Sequence, residues 1–136
     1  MYKFLFVAAV LFMLQACRDK DDVQIVTGVV GQVQYGEGDC MPVIGYSRRN
    51  YTNYNGEIYF IVKSDLDNLG NGDFNQLKDK SLHVTVKNGS LSAEIPAGIY
   101  VVMPEDIYEY GQENTITINT GTALTQDFKF FKCTSY

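Results

Sequence analysis

Apolar and polar residues alternate at every second position through much of residues 27–132. The alternation is clearest in residues 82–87 and 90–95, which flank Asn88-Gly89. A period of two is typical of a strand with one buried face. Both residues of a two-residue β-turn need a positive φ, which Asn-Gly tolerates. The pattern therefore predicts a two-residue β-hairpin at this place.

Further strands are predicted on either side of the hairpin. The whole predicted set covers residues 27–35, 57–63, 82–87, 90–95, 99–103, 115–119 and 124–132. Residues 57–63 and 99–103 are apolar at consecutive positions, which is typical of strands buried on both faces. Gly36-Glu37-Gly38-Asp39 is predicted to end the first strand. Residues 39–56 are predicted to be a loop, and residues 64–80 a loop that could hold one helical turn. About seven short strands without a long helix predict an all-β fold, an antiparallel β-sandwich.

Two stretches resemble a known family. Gly28-x-Val30 opens the first predicted strand, and Asn88-Gly89-Ser90-Leu91 leads into Ile95-Pro96-Ala97-Gly98-Ile99-Tyr100. These residues resemble the carboxypeptidase regulatory-like domain, which has a Pro-x-Gly-x-Tyr unit between strands and two closing strands after it. The resemblance departs from the family in the two predicted loops. It implies a transthyretin-like (prealbumin-like) sandwich with an accessory or adhesive role at cell surfaces, and it brings no catalytic residues.

The first 16 residues follow a different pattern. Lys3 precedes an unbroken apolar run from Phe4 to Leu14. A transmembrane helix needs about 20 apolar residues, so this shorter run is typical of a signal peptide. Leu14-Gln15-Ala16-Cys17 resembles the lipobox of bacterial lipoproteins, which implies cleavage before Cys17 and diacylglycerol on its thiol. The alternative is an ordinary secretory signal followed by an unrelated cysteine.

This resemblance divides the chain into three parts. Residues 1–16 are the signal peptide, residues 17–23 a lipidated cysteine with a flexible charged tether, and residues 24–136 the sandwich domain. Arg18-Asp19-Lys20-Asp21-Asp22 has no apolar side chain that could join a core. Acidic residues after the lipidated cysteine resemble the export signal of surface lipoproteins in Bacteroidetes. The expected location is the cell envelope, as an outer membrane lipoprotein that faces either the periplasm or the outer surface.

The charge balance narrows the choice of partners. Residues 1–16 hold one basic residue and no acidic one. Their removal leaves 10 of the 11 Lys and Arg residues and all 16 Asp and Glu residues, so the net charge is −6. Nucleic-acid binding needs a basic face, and attraction to anionic lipid also needs positive charge. We therefore predict no nucleic-acid partner and a membrane attachment that depends on the acyl chains of Cys17.

The cysteines predict one covalent link. Lipidation of Cys17 leaves Cys40 and Cys133 of the three cysteines in the chain. An even pair outside the cytoplasm favours a disulfide, here between the segment after the first strand and the end of the last. Two unpaired thiols are the alternative.

Residues suited to catalysis are sparse. His83 is the only histidine, and alternation places it on the polar face of a strand rather than beside a nucleophile and an orienting acid. One histidine and two separated cysteines cannot form a tetrahedral zinc site. Glu105, Asp106 and Glu109 cluster in a connecting segment, where we expect them to be solvated. The sequence therefore predicts neither an enzyme nor a cofactor.

Residues 65–73 are acidic and rich in glycine, as calcium-binding loops often are. Neither possible register of an EF-hand fits, because Leu69 falls on a position that needs an oxygen ligand in both. An irregular calcium site at Asp65, Asp67 and Asp73 stays open beside an ordinary turn cluster.

One predicted loop is rich in residues that favour binding. Its tyrosines and arginines combine apolar area with directional hydrogen-bond donors, as interaction surfaces do, and loops at the ends of a sandwich often bind partners. The candidate binding residues are Tyr46, Arg48, Arg49, Tyr51 and Tyr54. The alternative is that these tyrosines fold back and cover the sheet.

Together these features predict a membrane-anchored envelope lipoprotein that acts as a non-catalytic binding or structural module and contacts an envelope protein or a glycan. The alternative is a small envelope inhibitor or an accessory subunit of a surface protein complex, using the 39–56 loop.

Overall fold

The computed structural model describes residues 24–40, 49–108 and 114–135. These residues form nine strands and two short helices. Neither of the two helices is long and apolar enough to span a membrane. In chain order the elements are β1 Gly28–Asp39, β2 Thr52–Asn53, β3 Gly56–Val62, α1 Lys63–Asp67, α2 Phe74–Asp79, β4 Leu82–Val86, β5 Ser90–Glu94, β6 Gly98–Pro104, β7 Thr115–Ile118, β8 Ala123–Thr125 and β9 Phe128–Ser135.

The strands form two sheets that share one core. The first sheet is centred on β1, which pairs antiparallel with β5 and β2 along one edge and parallel with β8 and β9 along the other. The second sheet has the order β4-β3-β6-β7 and is antiparallel throughout. The predicted all-β sandwich is thus confirmed, although the pairing of β8 and β9 with β1 departs from a fully antiparallel arrangement.

The two ends of the sandwich differ, so we name them. The lower end is where β1 begins, and the upper end is where β1 finishes. β7 finishes at the lower end, where Ile118 pairs with Gly98. A turn then brings the chain beside the start of β1, where Gly121 N donates to Thr27 Oγ1 at 2.8 Å. β8 and β9 therefore start beside β1 and run in the same direction.

β1 is longer than the sequence predicted. Gly36, Glu37 and Gly38 continue the strand because β9 pairs with all three. The glycine at position 36 is needed for a close approach, since a Cβ there would lie 2.2 Å from Asn50 O and 3.0 Å from the Phe131 ring. Gly36 thus marks a crowded part of the strand rather than the turn that we predicted.

The Asn-Gly turn is confirmed, but the predicted hairpin pairing is wrong. Asn88 and Gly89 have φ values of 50° and 75°, and Ser90 N donates to Lys87 O at 3.0 Å. Beyond this turn β4 pairs with β3, whereas β5 pairs with β1 in the other sheet. Gly89 also donates to Tyr54 O and accepts from Val33 N, both at 2.8 Å. The turn is therefore the point at which the chain crosses between the sheets.

Two apolar clusters stabilise the domain. The main cluster lies between the sheets and includes Val29, Val33, Phe60, Phe128 and Phe130. The second covers the outer face of the second sheet, where α1 and α2 pack over Ile61, Val101 and Met103. This cover explains why β3 and β6 are apolar on both faces, as predicted. The segment predicted to be loop, with at most one helical turn, thus contains two helices that complete the burial.

The Pro-x-Gly-x-Tyr unit has a clear physical basis. The Tyr100 ring folds back over Gly98, where a Cβ would lie 3.1 Å from the ring. The Tyr100 hydroxyl donates to Pro96 O at 3.0 Å, and its ring contacts Phe60 edge-on at a centroid distance of 6.3 Å. A residue larger than glycine at position 98 would push this ring out of the core.

The predicted disulfide is confirmed. Cys40 and Cys133 are bonded, with their Cα atoms 5.3 Å apart. The bond joins the upper end of β1 to the end of β9, which are already parallel neighbours. It therefore closes the upper end of this strand pair.

Reduction of this bond should weaken the domain strongly. The two cysteines are 93 positions apart, and closing a loop of that size contributes about 4–5 kcal/mol in the chain-entropy model. We expect a loss of that order in the free energy of unfolding, measured by urea denaturation with and without reductant. Cys40→Ser with Cys133→Ser is the control, and its stability should not respond to reductant. Equal stability of oxidised and reduced wild type would contradict this prediction.

Candidate functional site

Two surface features lie at the upper end of the sandwich. One is an open cleft of about 440 Å³, lined by Tyr35, residues 52–56 and Glu105-Asp106. The other is a group of cationic and aromatic side chains on the outer face of the first sheet. Because both lie on the same end, they form one candidate binding region.

A polar network ties the two sheets together at the cleft. The Tyr35 hydroxyl donates to Asp106 Oδ2 at 2.6 Å, and Lys132 Nζ donates to the same oxygen at 3.1 Å. Burial, followed by the hydrogen bond to Asp106, raises the pKa of Tyr35. The phenol is therefore a fixed donor and not a base at neutral pH.

The Asp106 carboxylate is charged because of these two donors. Burial alone would raise the pKa of Asp106, but the hydrogen bonds from Tyr35 and Lys132 outweigh it and the pKa is lowered. The Asp106 side chain is 42% exposed, so it is solvated as predicted, and it also accepts two hydrogen bonds that were not predicted. Glu105 is exposed as predicted, and Glu109 lies outside the described residues. The wall of the cleft made by Glu105 and Asp106 is acidic.

A buried lysine holds the connection that carries this acidic pair. Lys78 of α2 is 3% exposed, and its Nζ donates to Pro104 O at 2.8 Å, to Ile107 O at 3.4 Å and to Glu105 O. The ammonium also lies 5.0 Å and 4.7 Å from the ring centroids of Tyr59 and Tyr108. Burial lowers the pKa of Lys78. We infer that Lys78 is a structural clamp that positions Asp106.

The opposite wall of the cleft is fixed by amide side chains. Asn53 Nδ2 donates to Asn88 Oδ1 at 3.1 Å, and Asn88 N donates to Asn55 Oδ1 at 2.7 Å. These bonds attach residues 52–56 to the turn between β4 and β5. The cleft is therefore preformed on both sides.

The second feature, here called the cation–aromatic cluster, consists of Arg49, Tyr51, Lys129 and Phe131. The Arg49 guanidinium lies 4.6 Å from the Phe131 ring centroid, and Tyr51 contacts Phe131 edge-on at 5.8 Å. Lys129 Nζ lies 5.8 Å from the Tyr51 centroid. Arg49 and Lys129 are exposed, and both rings are partly exposed. The cluster places two cations together on a chain of negative net charge.

The predicted binding residues separate into three groups. Tyr46 and Arg48 lie outside the described residues. Arg49 and Tyr51 come together in the cation–aromatic cluster. Tyr54 instead is 8% exposed, and its hydroxyl donates to Glu57 O at 3.1 Å. For Tyr54 the alternative of a tyrosine folded back onto the sheet is therefore correct.

The sequence interpretation missed several residues of this region. It did not name Tyr35, Lys129, Phe131 or Lys132 as binding candidates, although all four lie on predicted strands. The adjacent pair Phe130-Phe131 did carry a signal, because neighbouring strand residues point to opposite faces. One of those two rings had to lie outside the core.

The remaining candidates have structural roles. His83 lies exposed on β4, as predicted, 5.4 Å from the Tyr59 ring. Asp67 pairs with Lys63, and Asp73 caps α2 by accepting from Asn75 N at 2.9 Å and from Gln76 N. Within residues 24–40, 49–108 and 114–135, no three His, Cys, Asp or Glu side chains are grouped so as to hold a metal ion.

No protein-family model, curated protein or solved structure matches this chain. Its function must therefore be inferred from its own residues.

Removal of the Tyr35 hydroxyl should weaken the network in a pH-dependent way. Tyr35→Phe removes a donor to a charged acceptor and should lower the free energy of unfolding by about 1–2 kcal/mol at neutral pH. The pKa of Asp106 is lower in the folded than in the unfolded state, so its charged form stabilises the fold above the unfolded pKa of about 3.9. This stabilisation is lost as the pH falls through the folded pKa. The difference from wild type should therefore narrow below about pH 4.

Urea denaturation at several pH values would measure this difference. Tyr51→Phe, which removes a hydroxyl from the outer surface, is the matched control. A difference for Tyr35→Phe that stays constant from neutral to acidic pH would contradict the assigned role of Asp106.

Proposed function

We propose that this protein is a membrane-anchored envelope lipoprotein that acts as a non-catalytic binding module at the outer membrane. The observation that carries the proposal is the placement of both candidate surfaces at the upper end. The chain enters the domain at the lower end, where β1 begins, and Cys17 precedes β1 in the sequence. An anchor there would present the cleft and the cation–aromatic cluster away from the membrane.

The N-terminal sequence supports the anchor. Leu14-Gln15-Ala16-Cys17 follows a short apolar run, and residues 18–22 are charged. The unit Pro96-x-Gly98-x-Tyr100 supports the resemblance to carboxypeptidase regulatory-like domains and, through it, an accessory or adhesive role. These two features suit a protein that acts by contact at the envelope.

The chemistry of the upper end favours an envelope protein as the partner over a glycan. Glycan sites commonly offer an open aromatic ring, but the Tyr54 ring of the cleft is almost fully buried. The cation–aromatic cluster instead offers a guanidinium, an ammonium and two partly exposed rings. Arg, Tyr and Phe are enriched at the centres of protein interfaces.

A second candidate function draws on the same residues. Arg49 and Tyr51 belong to the 39–56 loop and are accessible in the cluster. Their position favours a small envelope inhibitor or an accessory subunit of a surface complex, if the partner binds in a fixed stoichiometry through this loop.

Anchoring can be tested by removing the lipidated thiol. Cys17→Ala should move the protein from the membrane fraction to the soluble fraction, because the acyl chains cannot then be attached. Cys40→Ser with Cys133→Ser is the control for loss of a cysteine elsewhere and should stay with the membrane. Recovery of Cys17→Ala in the membrane fraction would show that the lipoprotein proposal is wrong.

Binding can be tested by capture from envelope extract. Arg49→Ala with Tyr51→Ala should abolish recovery of the protein partner, whereas His83→Ala, at an exposed position of β4 outside both surfaces, should leave recovery unchanged. One partner at fixed stoichiometry would favour the subunit or inhibitor function.

Other results of the same capture would redirect the proposal. Recovery of polysaccharide that is lost in Glu105→Ala would assign the cleft to a glycan. No bound material with wild type would contradict a binding role and leave a structural one.

A further inference from the structure

Exposed apolar side chains concentrate at the lower end of the sandwich. Within the part of the chain that the structure describes, five large apolar residues are markedly exposed, and three of them lie at this end. They are Val26, Val62 and Ile99, which are 63%, 40% and 50% exposed.

The topology accounts for this placement. Val26 lies just before β1, Val62 ends β3, Leu82 begins β4 opposite Phe60, and Ile99 lies at the start of β6. Val26, Val62 and Ile99 fall at the lower end, whereas Leu82 pairs through Phe60 with Val102 and lies about halfway along the second sheet. Three exposed apolar side chains therefore lie at the end where the chain enters the domain.

Two of the connections at this end carry no charge. The connection from β5 to β6 exposes Pro96 and Ala97, and the connection from β7 to β8 is Asn119-Thr120-Gly121-Thr122. Glu94 borders the end and lines a shallow depression beside Val26. In contrast, the upper end carries Arg49, Lys132 and several carboxylates. The connection from β3 to β4 also starts at the lower end, and it places Lys63, which pairs with Asp67, directly after Val62. The lower end is thus apolar, with one ion pair beside its apolar residues.

The length of the chain before β1 limits how far this end can lie from a lipid anchor. Ten residues separate Cys17 from Gly28. Fully extended, they span at most about 35 Å, and a coil of this length has an r.m.s. span of roughly 17 Å. A lower end held this close to the bilayer meets it at high effective concentration, so weak contacts suffice for docking.

We infer that the lower end docks on the lipid surface, with Val26, Val62 and Ile99 contacting the headgroup region. This inference rests on the proposed lipidation of Cys17. The net charge of −6 after removal of residues 1–16 disfavours an anionic surface, so the expected lipid is zwitterionic or uncharged. The anchored domain then stands upright, with its binding region directed outward.

The absence of tryptophan from the chain provides a direct test. Ile99→Trp places a single fluorophore at the lower end, and Thr52→Trp places one at the upper end as a matched control. The lipidated protein is reconstituted in phosphatidylcholine vesicles whose acyl chains carry bromine, which quenches nearby tryptophan. We expect a blue-shifted and quenched emission for Ile99→Trp and an unchanged emission for Thr52→Trp. Circular dichroism checks that both variants fold.

A second variant separates docking from partitioning of the new tryptophan itself. Adding Val26→Asp to Ile99→Trp should reduce the quenching, because a charge then enters the contact. Protein that sediments with vesicles but shows no quenching at Ile99→Trp, or equal quenching at both reporters, would overturn the docking while anchoring stands. Protein that does not sediment would overturn the lipid anchor and the docking together. Dimers that lose the Ile99→Trp quenching would assign the lower end to a second copy of the chain.

Discussion

The fold depends on β1 being paired along both edges. β5 and β2 occupy one edge, and β8 and β9 occupy the other. Every other strand of the first sheet therefore takes its position from β1, and the chain crosses to the second sheet and back between them. Side chains of β1 alternate between the core, as at Val29 and Val33, and an outer face where Gly36 leaves room for the Phe131 ring. The same strand thus defines the core, the outer surface and the direction of the domain.

Local sequence patterns predicted those features of the fold that depend on residues close together in the chain. Alternation located most strands, Asn88-Gly89 located a turn, and Cys40 with Cys133 located the disulfide. Pairing partners were not predictable in this way, because an alternating run looks the same beside a hairpin neighbour or in another sheet. The divergence of β4 and β5 is fixed by contacts of Gly89 with Tyr54 and Val33, which are distant in sequence. Only the folded chain brings those residues together.

The candidate site shows the same limit. Arg49 and Tyr51 were identified from composition, because their residue types favour interfaces. Asp106 was predicted to be solvated because it lies in a connecting segment, and its partner Tyr35, 71 positions away, could not be predicted. Lys78 likewise reaches carbonyl groups 26 or more positions away. Burial of a charged residue depends on such distant partners, which a single sequence does not reveal.

The parallel arrangement of β1 and β9 has a mechanical consequence. A module held by lipid at one end and by a partner at the other carries tension along its length. Since β1 and β9 run side by side in the same direction, pulling them apart along their axes loads their hydrogen bonds together in shear, instead of opening them one at a time. The bond between Cys40 and Cys133 then prevents the 93-position segment between them from being drawn out. Tension applied between the start of β1 and the end of β9 would pass through β1 to this covalent link.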